Sequence, residues 1–328
     1  MAPLVAVIVL ALIFDYTNGR HDAALITSPV TSTGTLTIRQ AAIFTTVCSF
    51  FAFLVFGLHV AATLGHGLVN PNSVTLKTIA TALISACAWN IFAQRVGVPT
   101  SSSHALIGGL IGSVIASSGV SSVIWSGLLP IIAAIFVAPT LGFVGSILLT
   151  RLAAFPTNRL DSLFMNRFFR PMQILACGLL ALSHGSNDAQ KTMGIITLAL
   201  FSSHAIPTAD TPLWVVLMCQ AAMALGTISP QPAAMTRAIS RGIARTRPWQ
   251  GAVAQGSAGI VLSLATICGI PVSSTHVQTG TLAGVGALHS LGRVRWRTIL
   301  RMLISWIATI PASAAVAMGI TILLRAVW

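Results

Sequence analysis

Two short polar motifs recur along the chain in the same order. Asn18-Gly19-Arg20-His21-Asp22-Ala23 aligns with His184-Gly185-Ser186-Asn187-Asp188-Ala189, 166 positions later, sharing Gly, Asp and Ala. Val98-Pro99-Thr100-Ser101-Ser102-Ser103-His104 aligns with Ile270-Pro271-Val272-Ser273-Ser274-Thr275-His276, 172 positions later, sharing Pro, two Ser and His; Gly108 and Gly112 match Gly280 and Gly284. Each element has a chemical use. Two unpaired carboxylates near one site cannot both stay ionised in low dielectric, so Asp22 and Asp188 call for cations beside them. Ser101, Ser102, Ser103, Ser273, Ser274 and Thr275 follow a proline and supply neutral hydroxyl donors at predicted helix starts, where free N–H groups favour anions. Such a site suits a small tetrahedral oxyanion that must be released again. A cation at the aspartates offsets the anion's charge, so the two stabilise each other, which is the physical basis of ion-coupled symport.

The elements that position these groups are set by composition. Of 328 residues, 55% are hydrophobic and 7% charged, with five acidic residues, all Asp, against eighteen basic ones, for a net charge of +13. The mean hydropathy is +0.88. An ordinary soluble domain is about 25% charged, so a soluble globule, a disordered chain and a soluble nucleic-acid binder are all excluded. What remains is an all-α, polytopic helical membrane protein lying in the lipid bilayer. Cys48, Cys87, Cys177, Cys219 and Cys268 each lie in an apolar stretch without metal-ligand spacing and read as small buried residues. The first fourteen residues lack a basic n-region, so no cleavable signal is expected.

With a span needing ~20 apolar residues, the chain divides into about ten segments. They run near 2–30 (broken at 17–22), 41–64, 75–96, 99–118, 120–150, 172–203 (broken at 184–190), 213–235, 250–268, 271–290 and 302–325. With both termini outside, fourteen basic residues fall in inside loops and only Lys77 and Arg325 outside, the asymmetry expected of a multi-pass protein in the cytoplasmic membrane. The recurring motifs divide the chain into a first repeat over 1–150 and a second over 171–328, joined by an Arg-rich cytoplasmic linker at 151–170. An odd number of spans per half gives the repeats inverted topology, with polar motifs on broken helices or re-entrant hairpins. Segments 75–118 and 250–290 are each either two full spans or one hairpin; the parity is the same.

At these residues the chain resembles the inorganic phosphate transporter (PiT) family. The resemblance rests on Phe14 to Ala24, Pro99 to His104, Ala181 to Gly194 and Pro271 to His276, with Ala224-Leu225-Gly226-Thr227 as a further match. It implies uptake of inorganic phosphate driven by sodium ions, or by protons with metal–phosphate complexes as substrate. Carried over by position, Asp22, Asp188 and Asn18 serve coupling ions, while Asn187 and the six hydroxyl residues bind phosphate. It implies no catalytic residue, no resident metal or other cofactor and no nucleic-acid partner, and leaves a homo-oligomer open. One departure stands out: Leu25 lies where the family usually has Asn, and Gln190 is read as its intact counterpart in the second half.

Other readings remain beside this one. Sulfate or another tetrahedral oxyanion suits the same hydroxyl donors, and an anion channel would need no coupling ion. An intramembrane hydrolase would need a catalytic spacing such as Gly-x-Ser-x-Gly or His-Glu-x-x-His, which the chain lacks. Asp15 reads as a cap or orienting group, Asp161 and Asp210 as loop charges. His21 and His184 read as packing residues before metal ligands, and His104 and His276 as orienting groups. Gly108, Gly109 and Gly112 read as close-packing positions. Arg20 and Lys191 either attract the anion or pair with the aspartates; the sequence does not decide.

Overall fold

The computed structural model describes residues 1–70, 73–97, 100–157, 162–208, 210–230, 247–289, 292 and 294–327. Among these, the only extended pairing is an isolated bridge between Val69 and Val123. All else regular is helical: α1 Ala2–Ser32, α2 Ile38–Phe50, α3 Phe53–Phe56, α4 His59–His66, α5 Leu76–Val96, α6 Ser102–Ser118, α7 Trp125–Thr157, α8 Ser162–Ser202, α9 Leu213–Ile228, α10 Pro248–Ile267, α11 Ser274–His289 and α12 Trp296–Val327. Val98, Pro99, Arg159, Asp161, Arg237, Arg241, Arg245 and Arg293 lie outside the described residues. The stretch expected to be a linker is helical over 151–157 and 162–170, as extensions of α7 and α8.

Local sequence sets several helix ends. Thr37 caps α2 by accepting from the Gln40 N–H at 3.3 Å while the Gln40 side chain accepts from the Thr37 N–H at 3.0 Å. Thr75 and Thr78 make the same reciprocal pair at the start of α5. Ser101 caps α6 through the His104 N–H at 3.2 Å. α5 ends on Gly97 (φ +73) and α10 is followed by Gly269 (φ +68), left-handed positions 172 residues apart. The chain turns there and returns, so α5–α6 and α10–α11 form two helical hairpins.

The expected breaks at 17–22 and 184–190 are absent: α1 and α8 run as continuous helices through both motifs. A helical Gly costs about 1 kcal/mol relative to Ala, and tertiary packing outweighs it. A Cβ at Gly19 would lie 2.3 Å from the Met223 carbonyl oxygen on α9, and one at Gly185 2.6 Å from the Ser49 backbone on α2. The motif glycines are therefore points of close helix approach. The break falls instead in the second segment, at Gly57 (φ +66), and in the two hairpin turns.

The same packing recurs around the hairpins. A Cβ at Gly108 or Gly112 on α6 would meet the carbonyls of Ile310 and Ala314 on α12 at 2.4 and 2.2 Å. Gly280 and Gly284 on α11 stand equally close to Pro139 and Phe143 on α7, at 2.1 and 2.4 Å. Gly109, too, would carry its Cβ 2.6 Å from the Ala82 carbonyl, so these glycines are packing positions.

Polarity runs inside out relative to a soluble protein. The middle of α1 and of α8 is buried, carrying Asp15, Asn18, His21, Asp22, His184, Asn187, Asp188 and Lys191, while Val137, Leu141, Leu148, Leu300, Ile304 and Ile307 are exposed on α7 and α12. Such a surface belongs against hydrocarbon. Among the described residues, six helical stretches are long and apolar enough to cross a membrane, Ala2–Ser32, Ile38–Phe56 (α2 with α3), Leu76–Val96, Trp125–Leu152, Pro248–Ile267 and Trp296–Arg325. The chain is an integral membrane protein. Of the cysteines, Cys177 and Cys219 are buried as expected; Cys48 and Cys87 are half-buried and Cys268 is exposed, contrary to that reading.

Gly112→Ala and Gly280→Ala should each destabilise the protein by about 1–3 kcal/mol through overpacking. Gly319→Ala, with nothing within 4 Å of the new methyl, should be neutral or slightly stabilising. Melting temperatures in detergent check all three.

Candidate functional site

Asp22 lies in the buried stretch of α1 and Asp188 in that of α8. Ser274, the first residue of α11, links them: its hydroxyl lies 2.9 Å from Asp188 Oδ2 and 3.3 Å from Asp22 Oδ2. Asp22 also meets His21 Nδ1 at 2.6 Å. His184 Nδ1 stands 3.1 Å from Asp188 Oδ2. Ligand-type atoms of Asp22, His184 and Asp188 all lie within 4.8 Å of one another, and the three residues are buried. This is a compact set of oxygen and nitrogen ligands for a cation.

The two hairpin turns meet at this point. The Thr275 hydroxyl donates to the Thr100 carbonyl at 3.1 Å, joining the start of α11 to the turn before α6. Lys191 spans the junction. Its ammonium donates to Ser103 Oγ at 2.5 Å, to the Val272 carbonyl at 2.8 Å and to Asp188 Oδ1. Its side chain is 2% exposed, so a charge that a surface lysine would hold in water is here satisfied by protein oxygens alone. The expected hydroxyl residues are all buried. Their bonding differs: Ser101 serves as a cap, Ser103 accepts from Lys191, Ser274 bridges the carboxylates and Thr275 joins the turns.

Asn187 donates from Nδ2 to Thr266 Oγ1 at 3.0 Å and, at a longer 3.5 Å, to the Ile270 carbonyl in the second turn. Its Oδ1 has no hydrogen-bond partner, nor have Asn18 Oδ1, Thr100 Oγ1 and His104 Nδ1, all buried. Buried polar atoms are normally paired, so these four, each on a motif residue, keep a hydrogen bond to offer a ligand. The His104 and His276 rings meet at a tilt of 58° with centroids 4.9 Å apart, and His276 lies against Trp306 at 3.9 Å.

The undecided pair of basic residues separates cleanly. Lys191 pairs with Asp188, whereas Arg20 points away, its Nε donating to the Pro230 carbonyl at 3.0 Å. Asp15, expected as a cap or an orienting group, accepts from Thr192 of α8 at 2.9 Å and so ties the two motif helices together. Gln190 is not the counterpart of Leu25: at the offset that aligns Asp22 with Asp188, Leu25 aligns with Lys191. Gln190 has another task. Its Oε1 accepts from the N–H groups of Val60 and Ala61 at 2.8 and 3.3 Å, while Nε2 donates to the Gly57 carbonyl at 2.7 Å and to Ser186 Oγ at 2.8 Å. One side-chain amide thus satisfies the backbone on both sides of the break between α3 and α4. Gln190 and Gly57 stand 133 positions apart, so the sequence carries no signal for this.

Long apolar helices around a buried, charged, two-hairpin junction define a membrane transporter. A family model described as the phosphate transporter family matches residues 18–162 and 156–317. A Rhizobium meliloti protein named "Probable low-affinity inorganic phosphate transporter" is 42% identical over 314 residues, covering 95% of this chain and 94% of its own. A Bacillus subtilis protein of the same name is 36% identical over 313 residues, covering 94% and 93%. A solved structure of a sodium-dependent phosphate transporter superposes with a TM-score of 0.92 at 22% identity, covering 100% of both chains, and shares the fold. The chain belongs to the phosphate transporter family. That family is one of transporters and permeases, not of enzymes.

Gln190→Leu should strand the buried Gly57 carbonyl and the Val60 N–H and destabilise the protein by about 1–3 kcal/mol. A lowered melting temperature with unchanged helical circular dichroism at low temperature is the expected result.

Proposed function

We propose that this protein is a symporter that imports inorganic phosphate across the cytoplasmic membrane, coupled to sodium. The observation that carries this reading is the meeting of Asp22, Asp188 and both hydroxyl turns at one buried point, in a chain of the phosphate transporter family. Asp22 and Asp188, with Asn18 nearby in sequence, hold the coupling cation, and His184 completes its ligand set. Ser101, Ser102, Ser103, Ser273, Ser274, Thr275 and Asn187 provide the donors for phosphate, with the free hydroxyl of Thr100 beside them. Sodium is preferred to the proton because the solved structure with this fold bears a sodium-dependent name and because the ligand set is rich in oxygen.

The transport cycle follows from charge. A sodium ion entering beside the carboxylates lowers the electrostatic penalty for the phosphate, and phosphate does the same for sodium, so the loaded site is more stable than either half-loaded one. The hairpins then re-expose the site on the inside. We place ten segments in two inverted repeats, 1–150 and 171–328, around a cytoplasmic stretch at 151–170, with both termini outside and the α5–α6 and α10–α11 hairpins re-entrant. Support comes from the split of basic residues, thirteen in inside loops against two outside with Arg95 inside the first hairpin, and from the repeated glycine packing of α6 on α12 and α11 on α7.

Proteoliposomes with an imposed inward sodium gradient should accumulate labelled phosphate, and sulfate at equal concentration should compete poorly; stronger competition by sulfate would reassign the substrate. Asp22→Asn removes a coupling charge without stranding Lys191. It should lower gradient-driven uptake about 100-fold or more, the effect of losing roughly 3 kcal/mol of ion pairing. Asp188→Asn should do the same and also lower stability, because it leaves the Lys191 ammonium without its carboxylate.

A further inference from the structure

The motif repeat breaks its symmetry at one chemically decisive position. Three residues after each aspartate stand Leu25 in the first half and Lys191 in the second. Leu25 is fully buried and apolar. Lys191 carries its ammonium into a cage of three oxygens from three elements: the Ser103 hydroxyl of α6, the Val272 carbonyl in the second hairpin turn and the Asp188 carboxylate of α8. A hydroxyl, a backbone carbonyl and a carboxylate form a set that a hard monovalent cation would also take. The three ammonium donors match the three acceptors one for one.

We infer that the Lys191 ammonium is a tethered cation standing in place of a soluble co-ion, so that the transport site takes one soluble monovalent cation rather than two. The charge count sets the number. Asp22 and Asp188 contribute two negative charges and Lys191 one positive; Asp15, bonded to Thr192, is counted as protonated, and Arg20 turns away to Pro230. With neutral imidazoles, one negative charge remains, centred on Asp22, Asp188 Oδ2 and His184, whose ligand atoms lie within 4.8 Å of one another. A tethered cation is never diluted, because its local concentration is set by the side chain and not by the medium. Uptake therefore depends on external sodium with an order lower by one than it would without Lys191, and the site draws on one less ion of the gradient for each phosphate. This inference rests on the symport reading above and is tested apart from it.

The test uses the full-length protein, wild type and Lys191→Ala, in detergent. Melting temperature is measured in choline, sodium and n-propylammonium chlorides at equal ionic strength. n-Propylammonium replaces the atoms that Lys191→Ala removes. Lys191→Ala should be stabilised by sodium and by n-propylammonium beyond any shift of the wild type, since it gains a cation site that the wild type fills internally. Shifts equal to those of the wild type overturn the inference, and Lys191 is then a packing post or a direct phosphate ligand. Lys191→Met, which keeps the bulk of the stem, gives the same readout through sodium if the alanine variant does not survive purification. In proteoliposomes the Lys191→Ala uptake should rise more steeply with sodium, its Hill coefficient larger by about one. The melting temperatures decide the tethered cation; wild-type phosphate uptake decides the symport reading, so either can fail while the other stands.

Discussion

Two carboxylates buried in a low-dielectric interior are the constraint on which the rest of this structure depends. Asp22 and Asp188 are joined by one serine hydroxyl, so neither can be hydrated or left unpaired. Their presence demands donors, and the donors must come from elements that end nearby. The two hairpin turns answer that demand, because a turn exposes backbone and hydroxyl groups that a continuous helix would consume internally. Ser274 at the start of α11 donates to the carboxylates, Lys191 donates to Asp188 from α8, and Ser103 and the Val272 carbonyl accept from the same ammonium. The convergence of both halves of the chain is thus a consequence of charge neutralisation as much as of packing.

Outside that junction the same physics appears with the opposite sign. In hydrocarbon no water satisfies a backbone group, so irregular chain is tolerated only where a side chain covers it. Gln190 covers the break at 57–60 and Asn187 reaches the Ile270 carbonyl beside the second turn. Where no cover exists the helices stay regular and press together through glycine, with Gly108 and Gly112 against α12 and Gly280 and Gly284 against α7. There is little hydrophobic drive between helices in lipid, so close van der Waals approach takes its place.

Much of this is legible in the amino-acid sequence. Hydropathy marked long apolar segments, and α5, α6, α10 and α11 begin and end within a few residues of their expected bounds. The recurrence of Asp22 with Asp188, and of the hydroxyl runs, singled out residues that the fold brings together. Local propensity misled at Gly19 and Gly185, where glycine signals a break in isolation but close approach to a carbonyl in context. The repeat alignment also misassigned Gln190, since its polarity matched the missing Asn better than its register did.

The membrane setting, the pairing of motifs and the identity of the charged residues are all readable along the chain, because composition, period and offset are properties of residues taken in order. Where each charge goes is settled by the folded arrangement. Lys191 and Arg20 looked alike in sequence, each within three residues of its aspartate; one is held in a cage of three oxygens and the other turns out toward Pro230. That choice depends on Ser103, 88 positions away, and Val272, 81 away, and contacts at such separations exist only once the hairpins have folded against the motif helices.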